Sequence, residues 1–184
     1  MRQQGFSLIE LLMGLMIVGI VLHLVSPAFA ALTESNHREV AAESLISGIR
    51  NARTAALTHN QNVVIHGING DWGQGWRIIL DISGKGPEDR SNPLLIEHAR
   101  DAGVPIIGNW SVNRFVRFSR LGEPLMPGKA FQAGTLHICA AREPVSHLQV
   151  VLARSGRVRL DSQKAEQALC TAKKIKAKNG RVTL

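Results

Sequence analysis

Three sets of residues in this chain have types and spacings that could do chemistry. Glu10 is a carboxylate inside an apolar run that lasts from Phe6 to about Leu32, Arg157 and Arg159 are two guanidiniums on either side of one valine, and Cys139 and Cys170 are the only thiols. An ionisable group in a membrane-length apolar segment costs roughly 2.5 kcal/mol or more unless it finds a partner. Glu10 therefore reads as functional. In a strand, side chains repeat every two residues, so Arg157 and Arg159 would share a face about 7 Å apart, roughly the span of successive phosphates along a nucleic-acid strand. Each could fork onto a pair of phosphate oxygens, with Gly156 permitting close backbone approach. A pair of surface arginines serving solubility is the competing reading. The cysteines are either one disulfide or two unrelated buried thiols.

Other chemistries fit poorly. The stretch Gly67 to Gly75 is glycine-rich but lacks dinucleotide-binding spacing and a following helix, Gly84-Lys85-Gly86 is no phosphate loop, and no Gly-x-Ser-x-Gly elbow occurs. The seven histidines are scattered, and His137 with Cys139 lacks the further ligands a zinc site needs. Asp81, Glu88 and Asp89 bracket a Gly/Pro turn, an incomplete calcium pattern that reads better as a solvated hairpin loop. With no tyrosine and no credible catalytic pair, the expectation is a protein that is not an enzyme, with no metal and no cofactor.

Charge is distributed unevenly. The formal net charge is +8, and from Arg154 to Leu184 nine lysines and arginines stand against Asp161 and Glu166, so +7 of it lies there. A basic terminus calls for a polyanion, a phospholipid surface or plain solvation. Lys173, Lys174, Lys176 and Lys178, together with Arg154, could add sequence-independent phosphate contacts to those of Arg157 and Arg159. No Phe, Trp or Tyr follows Phe131, so the tail cannot stack on bases, which disfavours single strands and leaves the backbone of duplex DNA.

The elements that must position these groups are legible in the periodicity. Phe6 to Val25 is twenty predominantly apolar residues, roughly 30 Å of helix and enough to cross a bilayer core. Beyond Leu32 the pattern turns one-sided, with Leu45, Ile49, Ala52 and Ala56 on one face and Glu39, Glu43, Arg50 and Arg53 mostly on others. One bent helix of roughly 80 Å over 6–58 is expected, with Pro27 kinking or locally melting it. Short β-rich runs follow at Val63–His66, Gly75–Leu80, Leu94–Ile96, Val112–Phe118, Thr135–Cys139, Leu148–Ala153 and Arg157–Leu160, separated by Gly, Pro, Asn and Ser. The fold class is α+β, with a long helix packed on an antiparallel sheet, and about 126 residues after Thr58 suffice for one core.

Arg2, the Gly5-Phe6 junction and Glu10 as the fifth residue after Gly5 resemble the class III signal of type IV prepilins and pseudopilins. Further along, Asp71 to Asp81 with its Trp72-Gly73-Gln74-Gly75-Trp76 core, Phe118 to Gly122, and Leu152 to Arg157 resemble the GspH/FimT group of minor pilins and pseudopilins. The resemblance implies a leader of residues 1–5 removed by a prepilin peptidase on the cytoplasmic side, N-methylation of the new terminus Phe6, and a helix that is transmembrane over about 6–32. A β-rich head over 59–184 would lie in the periplasm on a single-pass protein of the bacterial inner membrane, before assembly with other pilins or pseudopilins. Glu10 would pair with the terminal ammonium of a neighbouring subunit, in keeping with the attraction of opposite charges in an apolar medium. Gly156-Arg157-Val158-Arg159 is similar to the DNA-contacting element of FimT-like pilins used in natural transformation.

An exported head can oxidise Cys139 and Cys170, so the resemblance also favours their disulfide. The indoles of Trp72 and Trp76 read as core of a hairpin. Two readings compete with the pilin signal: a secretory peptide cut after Ala30, and a plain membrane anchor. Within the family, a structural minor pilin or a minor pseudopilin of a type II secretion system, without DNA binding, is the alternative.

Overall fold

The computed structural model describes residues 8–99, 104–140, 143–167, 169 and 170, apart from the side chains of Leu24, Pro27 and Ala28. Helix α1 spans Leu8–His59 without a break at position 27, so the backbone does not melt at Pro27 although that residue has no N–H to donate. Two compact units divide the chain, 1–37 and 38–184.

In the first unit the described α1 side chains are exposed throughout up to residue 34, including Leu8 at 78%, Met16 at 69% and Leu32 at 67%. Among the described residues no helix is long and apolar enough to cross a membrane. Leu24, whose side chain lies outside the description, falls within the apolar stretch.

In the second unit α1 becomes the spine of a core. Leu45, Ile49, Ala52 and Ala56, at spacings of four, three and four, are all at most 1% exposed. Among the described residues nine strands accompany them: β1 Val63–Ile68, β2 Asp71–Leu80, β3 Leu94–Ala99, β4 Ile106–Gly108, β5 Phe115–Phe118, β6 Gly134–Cys139, β7 Val145–Leu152, β8 Val158–Asp161 and β9 Ala165–Glu166. They form two antiparallel sheets where one was expected, in the orders β3-β2-β1-β5 and β4-β6-β7-β8, with β9 also on β7. Ile65 and Ile78 of the first sheet and Leu136, Ile138, Val150 and Val158 of the second close on the helix in a single cluster.

The tryptophans fill this core as expected, each with its polar handle satisfied. Trp72 Nε1 donates to the Asn113 carbonyl at 2.9 Å and Trp76 Nε1 to Ser44 Oγ at 3.2 Å. Gly48 makes room for the second indole, since a Cβ there would lie 2.7 Å from it.

Two local expectations are corrected. Strand β5 begins at Phe115 and not at Val112, because Val112 closes a turn by donating its N–H to the Asn109 carbonyl at 3.1 Å; its apolar side chain fills the core. The loop after β2 is not simply solvated, because Asp81 is 1% exposed. Its Oδ1 accepts the Gly86 N–H at 2.8 Å and its Oδ2 is ion-paired with Arg117. Glu88 pairs with Arg114 at 3.6 Å, and Asp89 accepts both the N–H and the hydroxyl of Ser91, which hold its carboxyl down at about 2. All three carboxylates of the incomplete calcium pattern are thus engaged by groups of the chain itself.

Candidate nucleic-acid interface

Strands β7 and β8 pair from Gln149↔Asp161 to Leu152↔Val158, and the chain reverses between them over Ala153 to Arg157. Two hydrogen bonds close the turn: the Gly156 N–H donates to the Ala153 carbonyl and the Ala153 N–H to the Arg157 carbonyl, both at 2.9 Å. Arg157 is therefore the last residue of the turn and not the first of β8. The period-two expectation still holds across the junction, since Arg157 and Arg159 are exposed and Val158 between them is buried. Arg154 is exposed at the tip. Among the described residues neither Arg154 nor Arg157 is in an ion pair, whereas Arg159 lies 3.7 Å from Asp161 Oδ2. That pair is exposed on the arginine side (61%), the kind that contributes little and that a phosphate can displace.

Gly156 plays a different part from the one its motif suggested. It is buried at φ +78°, and a Cβ there would meet Arg53 Cζ and the Gly122 carbonyl oxygen, each at 3.1 Å. Its missing side chain admits the protein's own groups and not an incoming phosphate. Opposite it, the turn from Ser119 to Gly122 is closed by the Gly122 N–H donating to the Ser119 carbonyl at 2.8 Å, with Gly122 at φ +74°. Arg53 reaches from α1 to both turns, its Nε donating to the Gly122 carbonyl at 2.9 Å and its Nη1 to the Gly156 carbonyl at 3.4 Å. Sequence reasoning placed Arg53 on an outer helix face and missed this role. The available signal was the repeated pattern Arg120-x-Gly122 and Arg154-x-Gly156.

The disulfide of Cys139 and Cys170 is formed, with Cα atoms 5.5 Å apart. It engages the Cys139 sulfur, so His137 and Cys139 cannot act together as zinc ligands. His137 is buried beside it, 3.2 Å from Gln167 Nε2 and with Nδ1 lacking a hydrogen-bond partner among the described residues; burial lowers its pKa, as it does that of His66.

Cys139 faces Ser146 across the β6–β7 pair, while Gly134 faces Leu152 at the arginine turn. The root of the tail and that turn thus lie at opposite ends of β7, about 20 Å apart at the usual strand rise. Lys173, Lys174, Lys176 and Lys178 lie outside the described residues, as do Gly5 and Phe6. Glu10 is described and exposed in the first turn of α1.

Residues 41–156 match the family described as type II transport protein GspH, and residues 1–26 match the prokaryotic N-terminal methylation motif. No curated protein matches in sequence. The fold is similar to that of crystal structures of the type IV minor pilin FimU of Pseudomonas aeruginosa strain PAO1. In space group P21 the identity is 22% and the TM-score 0.58, covering 76% of this chain and 98% of that one. In space group P65 the identity is again 22%, with a TM-score of 0.55 and coverage of 72% and 98%.

Proposed function

The chain belongs to the GspH family and carries the methylation motif of a prepilin, so it is a minor pilin or pseudopilin and not an enzyme; on that premise we propose that it serves a type IV pilus and captures duplex DNA. The observation that carries the DNA reading is the exposed pair Arg157 and Arg159 around buried Val158, near an exposed Arg154 that is in no ion pair among the described residues. Guanidiniums so displayed suit the two-oxygen edge of a phosphate, and nothing in the turn reads base edges. Binding should be sequence-blind and salt-sensitive.

A titration of duplex DNA with the full chain in neutral detergent micelles tests this. The wild type is expected to bind with a log–log salt slope near −0.9 per phosphate neutralised, and Arg157→Gln/Arg159→Gln to lose affinity and about two units of that slope while keeping its fold. Equal binding by the double variant would sink the reading. The alternative, a structural minor pilin or secretion pseudopilin without DNA binding, is favoured by two observations: Gly156 is occupied by internal packing, and Arg159 already has Asp161.

Membrane insertion through the Phe6-led helix, with processing by the peptidase after Gly5 and assembly with other pilins through Glu10, belongs to the same proposal. It is supported by the methylation motif over 1–26 and by a described helix face of exposed leucine, isoleucine, valine and methionine that water would not tolerate free. Mass analysis of protein isolated from its native membrane is expected to find N-methylated Phe6 at the amino terminus. A mature chain beginning at Ala31 would instead identify an exported soluble protein.

A further inference from the structure

We propose that the two glycine turns bridged by Arg53 form one composite phosphate-binding rim, in which Arg120 contacts the same duplex as Arg154 and Arg157, and Arg53 is the positioning residue. The inference rests on the DNA-binding reading above and adds residues from a second loop and from the helix. The two turns belong to different sheets, Ser119–Gly122 leaving β5 and Ala153–Arg157 linking β7 to β8. Their backbones come close at the glycines: a Cβ on Gly156 would lie 3.1 Å from the Gly122 carbonyl oxygen. Both glycines are at positive φ, and a side chain at either would press on Arg53, so only glycine lets the guanidinium lie between the turns.

Each turn then presents its arginine outward. Arg120 stands two residues before Gly122, Arg154 two before Gly156 and Arg157 one after it; all three are exposed, and among the described residues none is in an ion pair. Arg53 itself is bonded to two carbonyls and, among the described residues, to no carboxylate, so its charge adds to the field at the rim. Glu123, exposed at the foot of the first turn, is the nearest opposing charge in sequence, one against four. Residues two apart can be at most about 7 Å from each other along the chain, and a closed turn brings them nearer. Turns in contact at their glycines therefore hold the three exposed arginines within reach of neighbouring phosphates, a concentration of positive charge that a single hairpin lacks. Arg53 reaches the two carbonyls from two different nitrogens of one rigid plane, Nε and Nη1, whereas a lysine would have to reach both from the single nitrogen of a flexible stem.

The test uses a fluorescein-labelled duplex and the full chain in neutral micelles, with anisotropy read from about 50 to 200 mM salt. Among the described residues the exposed Arg120 side chain makes no hydrogen bond or ion pair with the latch, so it can be changed while the bonds of Arg53 are kept. Arg120→Gln is expected to weaken binding about threefold to tenfold and to reduce the salt slope by about 0.9. Arg53→Lys, which keeps the charge, is expected to weaken binding as well. Its combination with Arg120→Gln should fall short of the product of the two single effects, because a misplaced Arg120 has less to lose. Wild-type affinity and slope in Arg120→Gln, alongside a loss in Arg157→Gln/Arg159→Gln, would overturn the composite rim and leave the DNA reading standing. Effects of Arg53→Lys and Arg120→Gln that simply multiply would overturn the positioning role. Absence of wild-type binding would remove the DNA reading and this inference with it.

Discussion

Asp81→Ala is expected to destabilise the head by about 3–5 kcal/mol, read as a lowered midpoint of urea unfolding at unchanged slope. Asp81 is 1% exposed, and the side chain of Arg117 opposite it is 12% exposed. Removing the carboxylate leaves a nearly buried guanidinium with only the Gly84 carbonyl, at 3.0 Å, among the partners it had there. It also frees the Gly86 N–H, whose 2.8 Å bond to Oδ1 is one of three ties on that glycine, the others being Asn92 Nδ2 and the Asp89 N–H, which donate to its carbonyl at 3.0 and 3.3 Å. The loop from Asp81 to Asn92 is thereby joined to β5, since Arg117 is a β5 residue whose backbone N–H is held by Gln132 Oε1 at 2.9 Å. Asp81→Asn keeps an acceptor for Gly86 and should lose less than alanine does. A change below 1 kcal/mol in Asp81→Ala would mean that water replaces the carboxylate at no cost, and that the pair is incidental.

This network also marks where sequence reading ends. The helix face of Leu45, Ile49, Ala52 and Ala56 was legible because its spacing is local, and so were strands β1, β2 and β6, whose apolar runs are bounded by Gly, Asn and Ser. The three-residue β4 was not, since Pro105 precedes it and its run is too brief to stand out; nor was β9, two exposed residues with no apolar signal. The division into two sheets depends on pairings such as Val63↔Phe118, which join positions far apart in sequence and leave no periodic trace.

The candidate site divides in the same way. Alternation around Val158 could be read from spacing, but Gly156 could not be assigned inward or outward without Gly122 and Arg53, which are distant in the chain. Asp161, two residues after Arg159 and so on the same side of the strand, was readable and is the one local competitor for that arginine.

Replacing Cys139 and Cys170 together by serine is expected to cost about 3.5 kcal/mol on a chain-entropy account, within a range of about 2–4, because the bond closes a span of 31 residues. Thermal unfolding of the oxidised wild type, the reduced wild type and the double-serine variant measures it, and the last two should agree. The expectation follows from what else holds the segment after β8. Among the described residues strand β9 makes the pairs Val145↔Glu166 and Ser146↔Ala165, the Gln167 N–H donates to the Pro144 carbonyl at 2.9 Å, and two side-chain contacts, Gln149 Nε2 to the Gln163 carbonyl and Gln167 Nε2 with His137 Nε2, are each 3.2 Å long. These few contacts, several of them at exposed positions, cannot fix the segment alone, since ordering each residue costs about 1–2 kcal/mol of backbone entropy. Cys170, by contrast, is 4% exposed and bonded to a strand at the heart of the second sheet. An unfolding midpoint that does not move on reduction would show that packing around Ser146 and Gln167 already suffices. The same variant separates the two basic regions: the Arg53-latched turns lie at the other end of β7, so if they alone bind DNA, the salt slope survives loss of the bond. A slope that falls with it assigns phosphate contacts to lysines whose placement depends on the anchored root.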